Sequence, residues 1–303
     1  MLARDDYQAL CEARIFEPAS LQRALRDRSR RTLAGDDGNL LILAADHTAR
    51  GMIAVGSDPL AVADRHTLLD RLLRGLSVPG VDGVMASADI LEELAWLGAL
   101  DGRVAIGTIN RGGIKGARWE LDDRITAYDA DHIASAGLDA GKLLLRIEFT
   151  DPGVARTIEM CGEVVTKLSD QGIACMVEPL PYLKDEAGRA FLDTRDEELI
   201  RVVAIASGLG SSSAYTWLKI PASPRMAEVA AATTMPILML GGDPGERAGE
   251  VIAGWEQAMR EPNVRGLIPG RALLYPHDGD VEGVVATAAR IVHGSGDDNG
   301  GTP

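Results

Sequence analysis

Short apolar runs recur along the chain, separated by stretches in which apolar positions return every three or four residues. There are eight such runs, at 40–46, 82–87, 103–110, 142–149, 173–179, 216–222, 236–242 and 264–270. They are almost continuously apolar, which is typical of parallel strands that are buried on both faces. The stretches between them, such as 64–76 and 151–172, have the period of amphipathic helices and end near a glycine.

Eight strands, each followed by room for a helix, predict an α/β fold of the (β/α)8 TIM-barrel type. A doubly wound sheet would instead require a G-x-G-x-x-G turn after its first strand, where this chain has AADHTARG. We therefore expect a barrel over residues 39–293, after an N-terminal helical extension at 1–38. The Gly- and Asp-rich tail at 294–303 has no apolar face, and we expect it to be disordered.

Charge and composition limit the classes of molecule that this protein is expected to bind. The chain carries 45 acidic and 31 basic residues, and its net charge of −14 disfavours binding to nucleic acid or to an anionic membrane. No window reaches the ~18 apolar residues of a membrane span. Three scattered cysteines favour neither a disulfide framework nor a zinc site. We expect a cytoplasmic homo-oligomer that binds a small-molecule substrate.

The C-terminal ends of barrel strands are where catalytic side chains lie in this fold. The residues at these ends are Asp46, His47, Asn110, Glu148, Glu178, Tyr182, Lys219, Gly241, Gly242, Gly270 and Arg271. Lys219 is the most informative of them, because only five of the basic residues are lysines and this one lies within an apolar run.

Burial disfavours the charged form of a lysine, and only the free amine attacks a carbonyl carbon. Lys219, between Leu218 and Ile220, is therefore a candidate nucleophile for imine chemistry. The alternative is a lysine whose charge reaches solvent or pairs with a structural carboxylate. Lys142 begins its run, so we expect it at the bottom of the barrel, away from the chemistry.

Two carboxylates and a phenol accompany this lysine. Asp46 ends the first strand and Glu178 the fifth, where each is able to act as an acid or base, to hold the charge of the lysine or to bind a metal. His47 is the only histidine placed to complete a metal site, so we expect no metal and no cofactor. Tyr182 is either a proton shuttle or an aromatic side chain that covers the rim.

The runs that end in LGGD and PGR carry Gly241, Gly242, Gly270 and Arg271. Glycines let backbone amides approach a ligand, Arg271 adds a forked cation, and the last two loops of a barrel are its recurrent phosphate site. Tight turns also use glycine, but its presence in both loops favours a bound phosphate.

With these positions in place, the chain resembles the class I aldolases of the barrel superfamily, which include deoxyribose-phosphate, fructose-bisphosphate and class I tagatose-bisphosphate aldolases. The matching motifs are AADH, EPLPY, WLKIP, LGGD and PGR, in the family's order over about residues 40 to 292. The resemblance implies that Lys219 is the Schiff-base lysine and Asp46 the first-strand aspartate. It also implies that Glu178 is the fifth-strand acid, as in the tagatose type, and that the glycines and Arg271 bind phosphate.

Two departures separate the chain from particular members. Deoxyribose-phosphate aldolases carry a second lysine on the seventh strand, and PILMLGG has none. Fructose-type members place a tyrosine directly at the end of the fifth strand, where this chain has Glu178, with Tyr182 four residues later. The proton donor is therefore Glu178, Asp46 or Tyr182.

The function expected is that of a class I aldolase, which makes or breaks a carbon–carbon bond in a phosphorylated sugar or related carbonyl compound. Two alternatives are a metal-dependent barrel aldolase or isomerase, and a barrel that binds a sugar phosphate without catalysis.

Overall fold

A parallel barrel forms the centre of the molecule, for which a computed structural model describes residues 1–242 and 248–294. Its eight strands are β1 (Leu40–Ala44), β2 (Gly83–Ala86), β3 (Val104–Thr108), β4 (Ala140–Ile147), β5 (Ala174–Lys184), β7 (Thr216–Pro221), β8 (Ile237–Leu240) and β9 (Val264–Leu267). Each pairs in parallel with its neighbours, and the β1–β9 and β4–β5 pairs close the barrel. The predicted TIM barrel is confirmed.

Helices surround these strands. They are α1 (Arg4–Phe16), α2 (Pro18–Asp27), α3 (Arg65–Leu76), α4 (Ala88–Trp96), α5 (Ala130–Ser135), α6 (Pro152–Asp170), α7 (Asp196–Ser207), α8 (Met226–Ala231), α9 (Ala248–Ala258), α10 (Arg271–Leu274) and α11 (Val281–His293). Aspartates cap several N-termini; Asp151, for example, accepts the Gly153 amide, with Pro152 as the first helical residue. These helices cover the outer faces of the strands with one large apolar core.

A second, smaller apolar cluster lies inside the barrel. It includes Leu40, Ile42, Met85, Ile106 and Met176, all of which are buried. These side chains fill the interior below the polar residues described in the next section, so the barrel is a packed core with an opening at one end.

A short antiparallel ribbon precedes the helix that follows the fifth strand, and the sequence analysis did not predict it. β5 continues beyond the barrel, and its last residues pair in antiparallel fashion with β6 (Ala190–Leu192), with Tyr182 opposite Leu192. The apolar–polar alternation of PYLK suits a two-stranded ribbon with one solvated face. The ribbon brings Leu192 to the cavity described below.

Two aspartates repeat one arrangement at the N-terminal ends of the strands, which we call the bottom of the barrel. Asp82 precedes β2 and accepts the amide of Leu41 from β1, at 2.7 Å. Asp139 precedes β4 and accepts the amide of Ala105 from β3, at 2.8 Å. In each case the carboxylate accepts a backbone amide of the adjacent strand, which adds a hydrogen bond at the point where the two strands begin to pair.

Arginines of the segment after α2 bind these carboxylates. Arg28 donates to Asp139 at 2.7 Å, and both side chains are almost fully buried. Arg30 binds the other oxygen of Asp139, and Arg31 binds Asp82. The N-terminal extension is therefore attached to the barrel bottom by three ion pairs, of which the Arg28–Asp139 pair is buried.

The predicted N-terminal helical extension is present, and it consists of α1 and α2. The division into extension, barrel and tail stays a prediction, and the tail residues 295–303 lie outside the described residues. In the described part of the chain, no helix is long and apolar enough to cross a bilayer.

Candidate active site

A cavity of about 180 Å³ opens at the C-terminal end of the barrel, which we call the mouth. Its lining residues come from most of the barrel strands and from the loops that follow them. Those with polar side chains are Asp46, His47, Arg50, Arg111, Lys142, Glu178, Tyr182 and Arg271. Cations outnumber carboxylates here, in a protein whose net charge is −14. The mouth is thus a local site for an anion on an acidic molecule.

Glu178 on β5 lies between two lysine amines. Its Oε1 is 3.2 Å from Nζ of Lys219 on β7, and its Oε2 contacts Nζ of Lys142 on β4. Lys219 is only 4% exposed, and Lys142 1%. Lys142 lines the cavity, whereas Lys219 is not among the described lining residues and adjoins it through Glu178.

Asp46 follows β1 and is held by neighbours from two strands. Its Oδ2 lies 3.0 Å from Nη1 of Arg111, accepts from Oγ1 of Thr108 at 3.2 Å, and lies 3.6 Å from Nζ of Lys142. The structure therefore brings Asp46, Glu178 and Lys219 together in the mouth, with Lys142 between the two carboxylates.

The charges in this cluster oppose the effect of burial on the carboxylates. Burial alone would raise the pKa of Glu178, but Lys142 and Lys219 outweigh it and lower the pKa to about 2. Likewise the pKa of Asp46 lies well below its usual range, because Arg111 and Lys142 outweigh its burial. Both groups are therefore carboxylates at neutral pH.

For Lys142 the balance is reversed. Burial lowers the pKa of its amine to about 8, against the pull of Glu178 and Asp46. At neutral pH on the order of a tenth of the molecules then carry Lys142 as a free amine.

His47 packs against the loop that follows β9, the last barrel strand. A Cβ on Gly270 would lie 2.4 Å from Cε1 of His47 and 2.5 Å from the carbonyl oxygen of Ala44, so this close approach requires glycine. The packing around the imidazole, together with nearby cations such as Arg271, lowers the pKa of His47 to about 3. The ring is neutral at pH 7.

The four residues expected to bind phosphate all line one side of the cavity: Gly241, Gly242, Gly270 and Arg271. Gly242 has a φ of 63°, which favours glycine, and no atom lies within 4 Å of where its Cβ would be. Nη1 of Arg271 donates to the Ala54 carbonyl at 3.0 Å. Residues 243–247, including the aspartate of LGGD, lie outside the described residues.

Of the remaining strand-end residues, only Tyr182 reaches the cavity. The guanidinium of Arg146 lies 5.6 Å from the centre of its ring. Asn110 bonds both backbone groups of Leu144, and Glu148 accepts from Thr150. Asn110 and Glu148 therefore have local structural partners.

The prediction that Lys142 lies at the barrel bottom is wrong. β4 begins at Ala140, two residues before the predicted run, and the four-carbon side chain of Lys142 extends through the interior to the mouth. The signal available was the spacing of Lys142 and Arg146, which places two cations on one face of an apolar strand. Arg111 and Arg50, which follow β3 and β1, were also missed and had no comparable signal.

The described residues contain no group of three or more His, Cys, Asp or Glu side chains arranged to hold a metal ion. The carboxylates of the mouth are instead bound by lysine and arginine. The arrangement places two buried lysine amines against one carboxylate, and a lysine amine in its free form attacks a carbonyl carbon.

A protein-family model named Cgl0159-like matches residues 38–289. The chain belongs to the Cgl0159-like family. A crystal structure of Cgl0159 from Corynebacterium glutamicum is 43% identical, with a TM-score of 0.93, and the alignment covers 97% of this chain and 98% of that one. A comparison with curated proteins gives no match.

The Cgl0159-like fold is shared with aldolases of much lower identity. An archaeal fructose 1,6-bisphosphate aldolase is 18% identical, with a TM-score of 0.65 over 91% of this chain and all of the other. A Schiff-base-forming fructose-1,6-bisphosphate aldolase is 21% identical, with a TM-score of 0.65 over 90% of this chain and all of the other. These similarities establish the barrel fold of the Cgl0159-like family.

Proposed function

We propose that this protein is a class I aldolase that acts on a phosphorylated sugar or a related carbonyl compound through a Schiff base on Lys219. The observation that carries the proposal is the Lys219–Glu178–Lys142 arrangement, in which one buried carboxylate joins two buried amines. The fold shared with Schiff-base-forming aldolases supports it. The cations of the mouth suit a substrate that carries phosphate.

In the reaction, the free amine of Lys219 adds to a ketone carbon, and the carbonyl oxygen takes up a proton to give a carbinolamine. The hydroxyl group of the carbinolamine takes up a second proton, from a protonated acid of the mouth or from water, and leaves as water, which gives an iminium ion. A carboxylate then removes the proton from the hydroxyl group two carbons away from the iminium carbon. The adjacent carbon–carbon bond breaks, its electron pair enters the iminium to form an enamine, and an aldehyde leaves. Protonation and hydrolysis of the enamine release the ketone.

Glu178 is the group best placed to move these protons, because it lies 3.2 Å from the amine of Lys219 and lines the cavity. It is ionised at rest, so its first action is to accept a proton. Asp46 is less suited to this role, since Arg111 and Lys142 hold its charge. Tyr182 lines the same cavity and is the second candidate for the hydroxyl proton.

Lys142 is the competing nucleophile, because its pKa is lowered to about 8 and it faces the cavity directly. Lys142 has two carboxylates within 4 Å, those of Glu178 and Asp46, whereas Lys219 forms its described ion pair with Glu178. We assign the imine to Lys219 because its place in WLKIP is that of the Schiff-base lysine in the class I aldolases that the sequence resembles.

The test is borohydride reduction in the presence of dihydroxyacetone phosphate and a panel of ketose and aldose phosphates, followed by intact-mass measurement and peptide mapping. We expect one adduct per chain, on Lys219, and its loss in Lys219→Arg, since arginine does not form the imine. Lys167→Arg, at an exposed lysine of α6, is the matched control and keeps the adduct. An adduct on Lys142 would move the nucleophile to β4, and no adduct with any ligand would contradict the proposed function.

A further inference from the structure

Arg111 binds Asp46 through two separate atoms. Nη1 lies 3.0 Å from the carboxylate oxygen Oδ2, and Nη2 donates to the backbone carbonyl of the same residue. Both side chains are almost completely buried. A planar guanidinium is able to make these two contacts at once, which a lysine ammonium does not reproduce. Arg111 therefore fixes the side chain and the main chain of Asp46 together.

The contacts of the mouth form a chain of alternating charge across five strands or strand ends. Its members, in order, are Arg111, Asp46, Lys142, Glu178 and Lys219. Arg111 stands at one end, and it is the only cation of the five that keeps its proton under all ordinary conditions. The two amines, in contrast, are able to lose theirs. This series of five charged groups thus has one cation with a permanent charge, Arg111, at the end remote from Lys219.

We propose that Arg111 is a positioning residue. It neutralises the charge of Asp46 and thereby keeps the amine of Lys142 in contact with Glu178. The proposal rests on the proposed function for its catalytic consequence. The distances support it, because Lys142 contacts Glu178 directly but lies 3.6 Å from Asp46, whose Oδ2 already has Arg111 and Thr108 as partners. Without Arg111, Asp46 would draw the ammonium of Lys142 away from Glu178.

The charged groups that face Arg111 come from several elements. They are Asp46, Arg50, Glu178 and Asp123. Asp46 in turn faces Arg111, Lys142, Lys219 and His47, and Lys142 faces Glu178, Asp46, Lys219 and Arg111. Arg111 lowers the proton affinity of both Asp46 and Lys142, so its removal raises the pKa of both groups.

A titration of the lysines tests this directly and does not depend on any substrate. The chain has only five lysines, so protein labelled with ¹³C-lysine gives few ε-carbon signals, and Lys142→Arg identifies the one from Lys142. In Arg111→Gln we expect the titration midpoint of Lys142 to move to higher pH. Arg50→Gln is the matched control, since this buried cavity-lining cation is held by Gly113 and Glu120, and we expect little change.

Arg111→Lys serves where Arg111→Gln does not fold. Its ammonium reaches one of the two Asp46 oxygens, so we expect a smaller shift in the same direction. A role in packing alone would leave the midpoint unchanged in every folded variant, and that result would overturn the proposal.

The catalytic consequence is measured as the rate of borohydride trapping with dihydroxyacetone phosphate at pH 7. We expect the limiting rate to fall on the order of tenfold in Arg111→Gln, with the half-saturating ligand concentration little changed, because Glu178 without the ammonium of Lys142 would pair with Lys219 alone. If the wild-type protein forms no adduct, the proposed function fails, while the titration still decides the role of Arg111.

Discussion

Both the bottom and the mouth of the barrel bury carboxylates that are paired with cations, but the cations differ. At the bottom, Asp139 is held by Arg28, by Arg30 and by the backbone amide of Ala105. At the mouth, Glu178 is held by the two amines of Lys142 and Lys219. Arginine and the backbone amide keep their protons, whereas a buried lysine is able to release one. The choice of cation therefore separates a structural charge pair from a reactive one.

The largest expected effect lies at the mouth. Glu178→Gln keeps the size of the side chain and removes the group that exchanges protons with both amines. We expect turnover of a substrate identified by the trapping panel to fall by about 10²–10⁴-fold, the usual contribution of a general acid or base. Steady-state assays against pH measure this loss, and a fall of less than tenfold would place the proton transfer elsewhere.

At the bottom, the corresponding change acts on stability. Asp139→Ala leaves the buried guanidinium of Arg28 unpaired, and we expect a loss of about 3–5 kcal/mol in the free energy of unfolding, measured with urea. Turnover per folded molecule should be unchanged. Asp101→Asn is the control, because this exposed aspartate also binds the N-terminal segment, through Ser29, and should cost less than about 1 kcal/mol. Comparable losses of unfolding free energy in the two variants would contradict a specific role of the buried Arg28–Asp139 pair.

A third prediction concerns Arg271, on the side of the mouth where we expect phosphate to bind. Arg271→Ala should weaken binding of a phosphorylated ligand by about ten- to hundredfold, as expected for a charge-assisted hydrogen bond. The unphosphorylated analogue should bind nearly as before. Calorimetry with the two ligands measures the difference, and equal losses would remove Arg271 from the phosphate site.

The smallest effect is a pH dependence that differs in sign between the two ends. Hydrogen bonds to Asp82, and to Asp37, raise the pKa of His293 at the bottom from 6.5 to about 9. Its contribution to stability is complete below pH 6.5 and is lost as the pH rises through 9. Lys142 at the mouth has a pKa lowered from 10.5 to about 8, so its unfavourable contribution to stability is complete below pH 8 and is lost as the pH rises through 10.5.

Denaturation curves of the wild-type protein and His293→Gln between pH 6 and 10 isolate the contribution of His293 to the free energy of unfolding. We expect the variant to be less stable on the order of 2 kcal/mol at pH 6, with the difference vanishing toward pH 10. A difference that is constant with pH would show that His293 acts through packing.

Much of the fold could be predicted because its strands are buried on both faces. All eight barrel strands overlap the predicted apolar runs, although β4 begins before its run and β5 continues beyond its run. Asp46, Glu178 and Lys219 were selected by their place at strand ends. The β5–β6 ribbon was missed because its short antiparallel pairing leaves little trace in a chain of parallel strands.

The mouth was predicted less completely than the barrel, for a geometric reason. Which end of a strand a long side chain reaches depends on the position of the strand start, and an error of two residues moved Lys142 to the wrong end. Arg111 lies in a loop, where no periodicity shows the direction of a side chain. Its pairing with Asp46 joins residues 65 positions apart, which only the closed barrel brings together.

The attachment of the N-terminal segment also bears on how the chain folds as it is synthesised. Arg28 leaves the ribosome early, but its carboxylate partner Asp139 follows 111 residues later, after the first three barrel strands. Chains grow at about 5–20 residues per second, so the segment waits several seconds for its site to exist. This segment is therefore unable to complete its docking until more than a third of the chain has followed it.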